Sequence, residues 1–218
     1  MARFAAIIGI GQNYAAHARE MGSPLPEWPV VFFKNPAAVI GDGEPIVIPE
    51  VCAEKGPQVD YEVELGVVIG RDCTAVIEAD ALSVVSYYCA ANDVSARWWQ
   101  KHGAGGQFCR GKSFDSFCPV SQLIPATSVA DPQALRLRSW VNGELRQDSC
   151  TDDMIFSVAT LIAELSKGMT LLANTLILTG TPAGVGAGRK PPFFLQSGDV
   201  VEVEVEGVGR LRNPVAAG

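Results

Sequence analysis

The chain has 218 residues, of which 48% are hydrophobic and 19% are charged, and its formal net charge is −7. This composition excludes an intrinsically disordered chain, which would be richer in charge and poorer in apolar residues. The negative charge argues against a nucleic-acid partner, because such a partner requires a basic surface. An anionic substrate would need a local reversal of charge, from a bound cation or from a few lysine and arginine side chains in one cleft.

Six cysteines are spread along the chain without a Cys-x-x-Cys pair. This pattern disfavours a zinc site and predicts reduced, mostly buried thiols. The sequence has neither a signal-peptide pattern nor an apolar run of membrane-spanning length, so we expect a cytoplasmic protein with no membrane partner. A chain of this length is within the range of one domain, and we expect a single domain over residues 1–218.

The N-terminal part of the chain alternates apolar runs with structure-breaking residues. Phe4–Ile10 is a predicted strand that leads into a glycine turn, and Asn13–Met21 has the composition of a helix. One glycine and three prolines between residues 22 and 29 then interrupt the helical pattern. We therefore predict that residues 11–29 form a mobile flap with a short helix.

The rest of the chain reads as short strands with few helices. Helices are predicted over Asp80–Ala91 and Met154–Leu165, and Asn142-Gly143 is a strong hairpin signal. This balance of elements predicts a β-rich α+β fold. Further strands are predicted at Val30–Phe33, Pro45–Ile48, Val59–Ile69, Leu135–Val141, Leu176–Leu178 and Val201–Glu206.

Glu62 and Glu64 are the sharpest chemical feature of the sequence. Residues two apart on a strand project from the same face, so these carboxylates would lie about 5–7 Å apart in an otherwise apolar segment. Two buried like charges require a compensating cation, and Asp93 in a following turn offers a third oxygen ligand, a set that suits Mg²⁺ or Mn²⁺. The alternative is the solvated face of an edge strand, which is our interpretation of the alternating glutamates in Val201–Glu206.

Other polar residues suggest how a substrate would be handled. His17 and Glu20 lie one turn apart on the flap helix, where the carboxylate can orient the histidine as a general base, or the two can form an ordinary surface pair. Lys112 and Arg97 can each hold a substrate carboxylate or serve as structural ion-pair partners.

The glycine-rich segment Gly180–Gly186 has no Gly-Lys-Ser/Thr ending, so it is not a P-loop. Its backbone N–H groups and the Thr181 hydroxyl are suited to bind a carboxylate. The chain also contains no Gly-x-Ser-x-Gly, and this absence leaves a serine-hydrolase mechanism without support.

Seven segments, in the same order, resemble the catalytic domain of the fumarylacetoacetate hydrolase family across about residues 6–215. Any one of them is weak, whereas seven in order are specific, and they favour the functional interpretation of the glutamates and of His17. The segments are Gly11–His17 with Glu20, Asp60–Leu65, Asn92–Arg97, Gly111–Asp115, Val141–Glu144, Thr179–Gly186 and Gly198-Asp199.

The resemblance implies the mixed β-roll fold of that family and a homodimer. It implies Mg²⁺ or Mn²⁺ held by Glu62, Glu64 and Asp93. The other site residues that it implies are catalytic His17, Glu20 and Lys112, and substrate-binding Asn13, Tyr14, Arg97 and Thr181.

The segment Gly188–Pro192 is most similar to the fumarylacetoacetate hydrolase domain-containing subgroup and to bacterial acylpyruvase-like and hydroxyheptadienedioate isomerase-like members. The first expectation is therefore hydrolysis of an acylpyruvate or decarboxylation of oxaloacetate through a metal-stabilised enolate. The alternative is isomerisation or tautomerisation of a 2-hydroxy-dienedioate or of oxaloacetate. A non-catalytic binding protein is a third hypothesis, and the five retained metal-ligand and dyad residue types argue against it. Asn35 and Trp98 depart from the family pattern and leave the substrate open.

Overall fold

The computed structural model describes residues 3–218, and its secondary structure is rich in strands. Over these residues the α-helices are α1 (Ala15–Glu20), α2 (Glu50–Ala53), α3 (Phe108–Gly111) and α4 (Val158–Leu165), with a π-helix at Trp99–Gly103. The strands are β1 (Ala6–Gly11), β2 (Val30–Lys34), β3 (Val39–Ile40), β4 (Ile46–Ile48), β5 (Val59–Asp60), β6 (Val63–Ile69), β7 (Val85–Asn92), β8 (Ser95–Ala96), β9 (Cys118–Pro119), β10 (Ile124–Pro125), β11 (Arg136–Val141), β12 (Glu144–Cys150), β13 (Thr175–Leu178), β14 (Val200–Val205) and β15 (Gly209–Ala217). The predicted β-rich α+β fold is confirmed.

Two larger sheets organise these strands. One has six strands in the order β10-β7-β6-β13-β1-β2, and the other has five in the order β12-β11-β14-β15-β4. Within them only the β1–β13 and β15–β4 pairs are parallel among the residues described. β6 and β7 pack against β11, β14 and β15 of the second sheet, and this contact encloses the main apolar core.

β6 explains why the sequence between residues 63 and 69 is almost continuously apolar. Leu65 and Val67 face the main core, whereas Val68 faces a second apolar cluster on the other side of the sheet. All seven residues of the strand are buried. A strand covered on both faces has no solvent side, so Glu64 on this strand is a buried carboxylate rather than part of an exposed edge.

The prediction of one unbroken strand over Val59–Ile69 is wrong. The strand is interrupted at Tyr61 and Glu62. Side-chain amides take the place of strand partners here, because the Glu62 N–H donates to Asn92 Oδ1 at 2.9 Å and the Val63 N–H donates to Gln147 Oε1 at 3.0 Å. Glu62 therefore lies in the interruption before β6, not within the strand that carries Glu64.

The predicted helix over Asp80–Ala91 is also wrong. Residues Glu78–Val84 form a 3₁₀ helix, and the chain then enters β7. The β-branched and aromatic residues of this segment favour a pleated strand, and pairing with β6 along its length satisfies the backbone. The other predicted helix begins later than expected, at Val158, where the Ser157 hydroxyl caps it by accepting from the Thr160 N–H.

The predicted flap is a docked segment that begins at the end of β1. The Asn13 carbonyl accepts a hydrogen bond from the Ile155 N–H at 2.7 Å, and the Gln12 side chain donates to Ser23 Oγ at 2.9 Å. These contacts hold helix α1 over the end of the six-stranded sheet. All six cysteines are free thiols. No helix among residues 3–218 is long and apolar enough to cross a membrane.

Candidate active site

Three buried carboxylates converge at one end of the six-stranded sheet. Glu64 projects from β6, Glu62 from the interruption that precedes it, and Asp93 from the turn that follows β7. One oxygen atom from each lies within 4.8 Å of the others. The turn is held to the interruption because the Asp93 N–H donates to the Glu62 carbonyl at 2.9 Å.

Buried cations surround this cluster. Lys34 Nζ lies 2.6 Å from Asp93 Oδ1, and Arg97 Nη1 lies 2.7 Å from Glu62 Oε1. Lys112 Nζ is 2.8 Å from Glu62 Oε2 and also bonds the second oxygen of Asp93. Lys112 and Arg97 thus form structural ion pairs with the carboxylates, which is one of the two roles predicted for them. Both residues also line the cavity described below.

The pKa values of Glu62 and Glu64 are shifted in opposite directions because the surroundings of the two carboxylates differ. Burial alone would raise the pKa of Glu62, but Lys112 and Arg97 outweigh burial and hold that pKa below its usual value. Burial, reinforced by Asp93 and Glu62, raises the pKa of Glu64 well above its usual value. Glu64 receives one backbone hydrogen bond, from the Gly180 N–H at 2.8 Å.

The donor set fits a hard divalent cation. When all four are ionised, the three carboxylates and the neighbouring Asp60 exceed the three buried cationic side chains around the cluster by one negative charge. The raised pKa of Glu64 comes first from burial and then from the crowding of like charges, which a bound cation would relieve. Oxygen ligands in such a cluster match the preference of Mg²⁺ and Mn²⁺.

His17 and Glu20 face the cluster from the flap helix. His17 Nδ1 lies 3.3 Å from Glu20 Oε2, and the His17 side chain is 8% exposed. The Glu20 carboxylate accepts the Gly184 N–H, at 3.0 Å to Oε1 and 3.2 Å to Oε2. This contact docks the flap on the glycine-rich loop and leaves Nε2 of His17 available to a bound molecule.

A cavity of about 110 Å³ lies between the flap helix and the carboxylates. Its volume is that of roughly three to four water molecules at ~30 Å³ each, so with the flap docked it suits a small molecule. The wider surface depression near Arg71 and Asp80, of about 570 Å³, has no such cluster of carboxylates. The polar and ionic residues that line the smaller cavity include Gln12, His17, Glu62, Glu64, Arg97, Gln100, Lys101, Lys112 and Thr181.

Two residues expected to bind substrate are occupied elsewhere. The Asn13 amide donates to the carbonyls of Phe156 and Thr179, and its oxygen accepts the Phe156 N–H, so it anchors the base of the flap. The Tyr14 side chain is completely buried in the main core and does not line the cavity. Thr181 does line the cavity, and its hydroxyl donates to the Val63 carbonyl at 2.9 Å.

The N–H groups of the glycine-rich loop bind carboxylates, and the three carboxylates that they bind belong to the protein itself. Its N–H groups donate to acidic side chains that the sequence does not place near the loop. The pairs are Gly180 with Glu64, Gly184 with Glu20 and Gly186 with Asp60.

Sequence reasoning missed the supporting roles of Lys34, Asp60 and Gln147. Lys34 ends an apolar run, which is a sequence signal for a buried, paired lysine. Gln147 lies on β12 of the other sheet and donates to the Thr181 hydroxyl at 2.8 Å. No local pattern reveals this contact, because it joins residues 34 positions apart across the two sheets.

Comparison with known proteins identifies several relatives. The sequence model described as fumarylacetoacetate (FAA) hydrolase C-terminal matches residues 6–216. Oxaloacetate tautomerase YisK of Bacillus subtilis is 46% identical over 212 residues, which cover 96% of this chain and 69% of YisK. The mitochondrial oxaloacetate tautomerase fahd2 of Xenopus laevis is 45% identical over 210 residues, which cover 96% of this chain and 65% of that protein.

Solved structures agree with the sequence matches. The crystal structure of 5-carboxymethyl-2-hydroxymuconate delta-isomerase from Mycobacterium smegmatis has a TM-score of 0.85 at 42% identity, over 99% of this chain and 80% of that one. The chain spans about two thirds of the length of the curated relatives that it matches. The shared part contains every residue of the cluster described above.

Proposed function

Because the chain belongs to the fumarylacetoacetate hydrolase family, we propose that it is an enzyme that tautomerises or isomerises a small 2-oxo acid at the Glu62, Glu64 and Asp93 cluster. The observation that carries the proposal is the cluster of three buried carboxylates, two of which, Glu62 and Glu64, line one small cavity together with His17. Oxaloacetate is the substrate that we propose to test first.

The relatives favour tautomerisation or isomerisation over hydrolysis or decarboxylation, which was the first expectation from the sequence. Two of them are oxaloacetate tautomerases and one is a delta-isomerase. Their names describe reactions that relocate a proton and a double bond without breaking a carbon–carbon bond. The alternative from the sequence is therefore the better supported of the two.

We further propose that Glu62, Glu64 and Asp93 hold Mg²⁺ or Mn²⁺. The support is chemical, because three buried oxygen donors lie within 4.8 Å of one another, and with the neighbouring Asp60 the carboxylates outnumber the surrounding lysines and arginine by one. A divalent cation in this place would act as a Lewis acid toward the 2-oxo carboxylate end of a substrate.

His17 is the group that we assign to proton transfer. In the keto–enol conversion of oxaloacetate a proton leaves carbon 3 and a proton is added to the oxygen of carbon 2. With Nδ1 bonded to Glu20, His17 presents Nε2 to the cavity and can accept or return that proton. Glu20 fixes the ring orientation through its own bond to the Gly184 N–H, and docking of the flap limits access of water.

The test follows the keto–enol conversion of oxaloacetate by ultraviolet absorbance with Mg²⁺, Mn²⁺ or a chelator, alongside an assay for pyruvate. We expect metal-dependent conversion without pyruvate. In Glu62→Gln the loss of one ligand charge is expected to weaken Mg²⁺ binding by about tenfold or more in calorimetry and to reduce turnover with it. His17→Ala should bind Mg²⁺ normally and lose most turnover.

Glu202→Gln is the matched control, since Glu202 also belongs to a Glu-x-Glu sequence but pairs with the exposed Arg210 and does not line the cavity. It should leave both Mg²⁺ affinity and turnover unchanged. Accumulation of pyruvate in step with oxaloacetate loss would instead establish a decarboxylase. Unaltered Mg²⁺ affinity in Glu62→Gln would show that the cation binds elsewhere.

A further inference from the structure

Asp60 is a fully buried carboxylate outside the cluster of three, and all its acceptor positions are used. Its Oδ1 accepts the Gly186 N–H at 2.7 Å and the Tyr61 N–H at 2.9 Å. Its Oδ2 accepts the Ala187 N–H and Arg97 Nε, both at 2.9 Å. One side chain thus joins two separate pieces of the chain to its own segment.

The first piece is the glycine-rich loop on which the flap docks. Gly184 of this loop gives its N–H to the Glu20 carboxylate, and Glu20 in turn bonds His17. The two N–H groups that Asp60 receives lie two and three positions further along the same loop. The position of the Glu20 docking site therefore depends on Asp60.

The second piece is the guanidinium of Arg97. Its Nη2 lies 2.7 Å from Asp60 Oδ2, while its Nη1 lies 2.7 Å from Glu62 Oε1. The planar fork of an arginine can satisfy both carboxylates only in one orientation. Asp60 thereby sets the direction from which Arg97 holds Glu62.

Two glycines make these close contacts feasible. A Cβ on Gly186 would lie 1.8 Å from the Phe193 carbonyl oxygen and 2.7 Å from Asp60 Oδ1. A Cβ on Gly188 would lie 2.4 Å from Cδ of Glu20. The loop approaches Asp60 on one side and the flap on the other with no room for a larger residue.

We propose that Asp60 is a positioning residue that couples docking of the flap to the geometry of the carboxylate cluster. The loop and the flap dyad lie on one side of this carboxylate, and Arg97 and Glu62 lie on the other. A ligand that orders Glu62 then also favours the docked flap, and the coupling is reciprocal. This inference rests on the proposed function for its metal, but its structural readout needs no substrate.

The experiment measures trypsin cleavage after Arg19, an exposed residue of α1, with and without saturating Mg²⁺. The fragment is identified by its mass, and cleavage requires α1 to leave its docked position. Mg²⁺ is expected to slow this cleavage in the wild-type protein. The protection should disappear in Asp60→Asn, whose amide replaces one acceptor by a donor facing other donors, and baseline cleavage should be faster.

Two further readouts separate positioning from general instability. In Asp60→Asn a hydrogen bond to a charged group is lost, so we expect Mg²⁺ affinity to fall about tenfold by calorimetry. We expect kcat to fall about 10- to 100-fold, while KM changes less than about threefold. Asp148→Asn removes a surface carboxylate paired with Arg136 and should change none of these quantities. Gly188→Ala should reproduce the faster cleavage by displacing Glu20.

The possible failures are distinct. Loss of Mg²⁺ affinity without faster cleavage, or the reverse, would assign Asp60 to one side only and overturn the coupling. If Asp60→Asn does not fold, the wild-type protein still decides, since Mg²⁺ that binds without slowing cleavage after Arg19 contradicts the proposal. Wild-type protein that binds no Mg²⁺ would refute the proposed metal site instead, and faster flap cleavage in Asp60→Asn would still reveal the loop contact.

Discussion

At the scale of single residues, the two lysines near the cavity have different surroundings. Lys112 is buried, and although burial lowers its pKa, Asp93 and Glu62 outweigh that effect and raise it. Its charge is therefore committed to the carboxylate cluster. Lys101 lines the same cavity, is exposed, and forms no salt bridge with any residue between 3 and 218. We propose that Lys101 binds the second carboxylate of a dicarboxylic substrate.

Lys101→Ala is therefore expected to raise KM for oxaloacetate about tenfold, because one charge-assisted hydrogen bond to the substrate is lost. Little change in kcat is expected. For 2-oxobutanoate, which has no second carboxylate, the rate of hydrogen exchange at carbon 3 should be unaffected. Lys55→Ala is the control, because Lys55 stacks on Trp98 and does not line the cavity. Equal effects on both substrates would show that Lys101 does not contact the distal carboxylate.

At the scale of elements, the hairpin between β11 and β12 shows how turn chemistry sets strand register. Asn142 and Gly143 have positive φ angles of 53° and 79°, the conformation that joins two antiparallel strands by two residues. The Asn142 side chain also accepts the Val200 N–H and ties the turn to β14. The turn sets the register of Val141 opposite Glu144 and Trp140 opposite Leu145, and a register shift between Ser139 and Trp140 then brings Gln147 opposite Ser139, where it can reach the interruption before β6.

Gly143→Ala should lower the free energy of unfolding by about 1 kcal/mol, because an alanine is strained at a positive φ. The cost is conformational alone, since a Cβ here meets no atom within 4 Å. Urea unfolding measures the change, and turnover should stay the same because neither turn residue lines the cavity. Gly143→Asn is the matched variant and should lose less, since asparagine tolerates this conformation. Equal losses for the two would contradict this account.

At the scale of the whole molecule, the outer edge of the six-stranded sheet is apolar. β2 pairs only with β1 among the described strands, and its residues Val31 and Phe33 are 44% and 47% exposed. Trp28, just before this strand, is 64% exposed. An unpaired edge with exposed apolar side chains is a surface that proteins normally cover. We propose that a second copy of the chain covers it, in line with the homodimer that the family resemblance implies.

Phe33→Glu is accordingly expected to shift the protein from dimer to monomer in sedimentation-velocity experiments, since a buried, unpaired carboxylate opposes association. Leu172→Glu is the control. It places the same charge on an exposed leucine outside this edge, which is 48% exposed, and should leave the dimer intact. A wild-type protein that sediments as a monomer at all concentrations tested would refute the homodimer.

Much of the site could be predicted from short segments of sequence. The spacing of Glu62 and Glu64 with Asp93 identified the three carboxylates that the fold brings within 4.8 Å of one another. The His17 and Glu20 spacing on a helix predicted a pair that lies 3.3 Å apart. Turn and alternation signals are local, so they are encoded in a few neighbouring residues and do not depend on the rest of the fold.

The tertiary structure decided what those local patterns leave open. The segment after Val84 becomes a strand because β6 is there to pair with it. The predicted strand over Val59–Ile69 is interrupted because the side-chain oxygens of Asn92 and Gln147 accept the N–H groups of Glu62 and Val63. The roles of Lys34 and Asp60 are likewise set by partners 59 and 126 positions away in the chain. The sequence by itself determined the chemical groups of the site, and only long-range packing, which no local periodicity records, decided which of them orient the others.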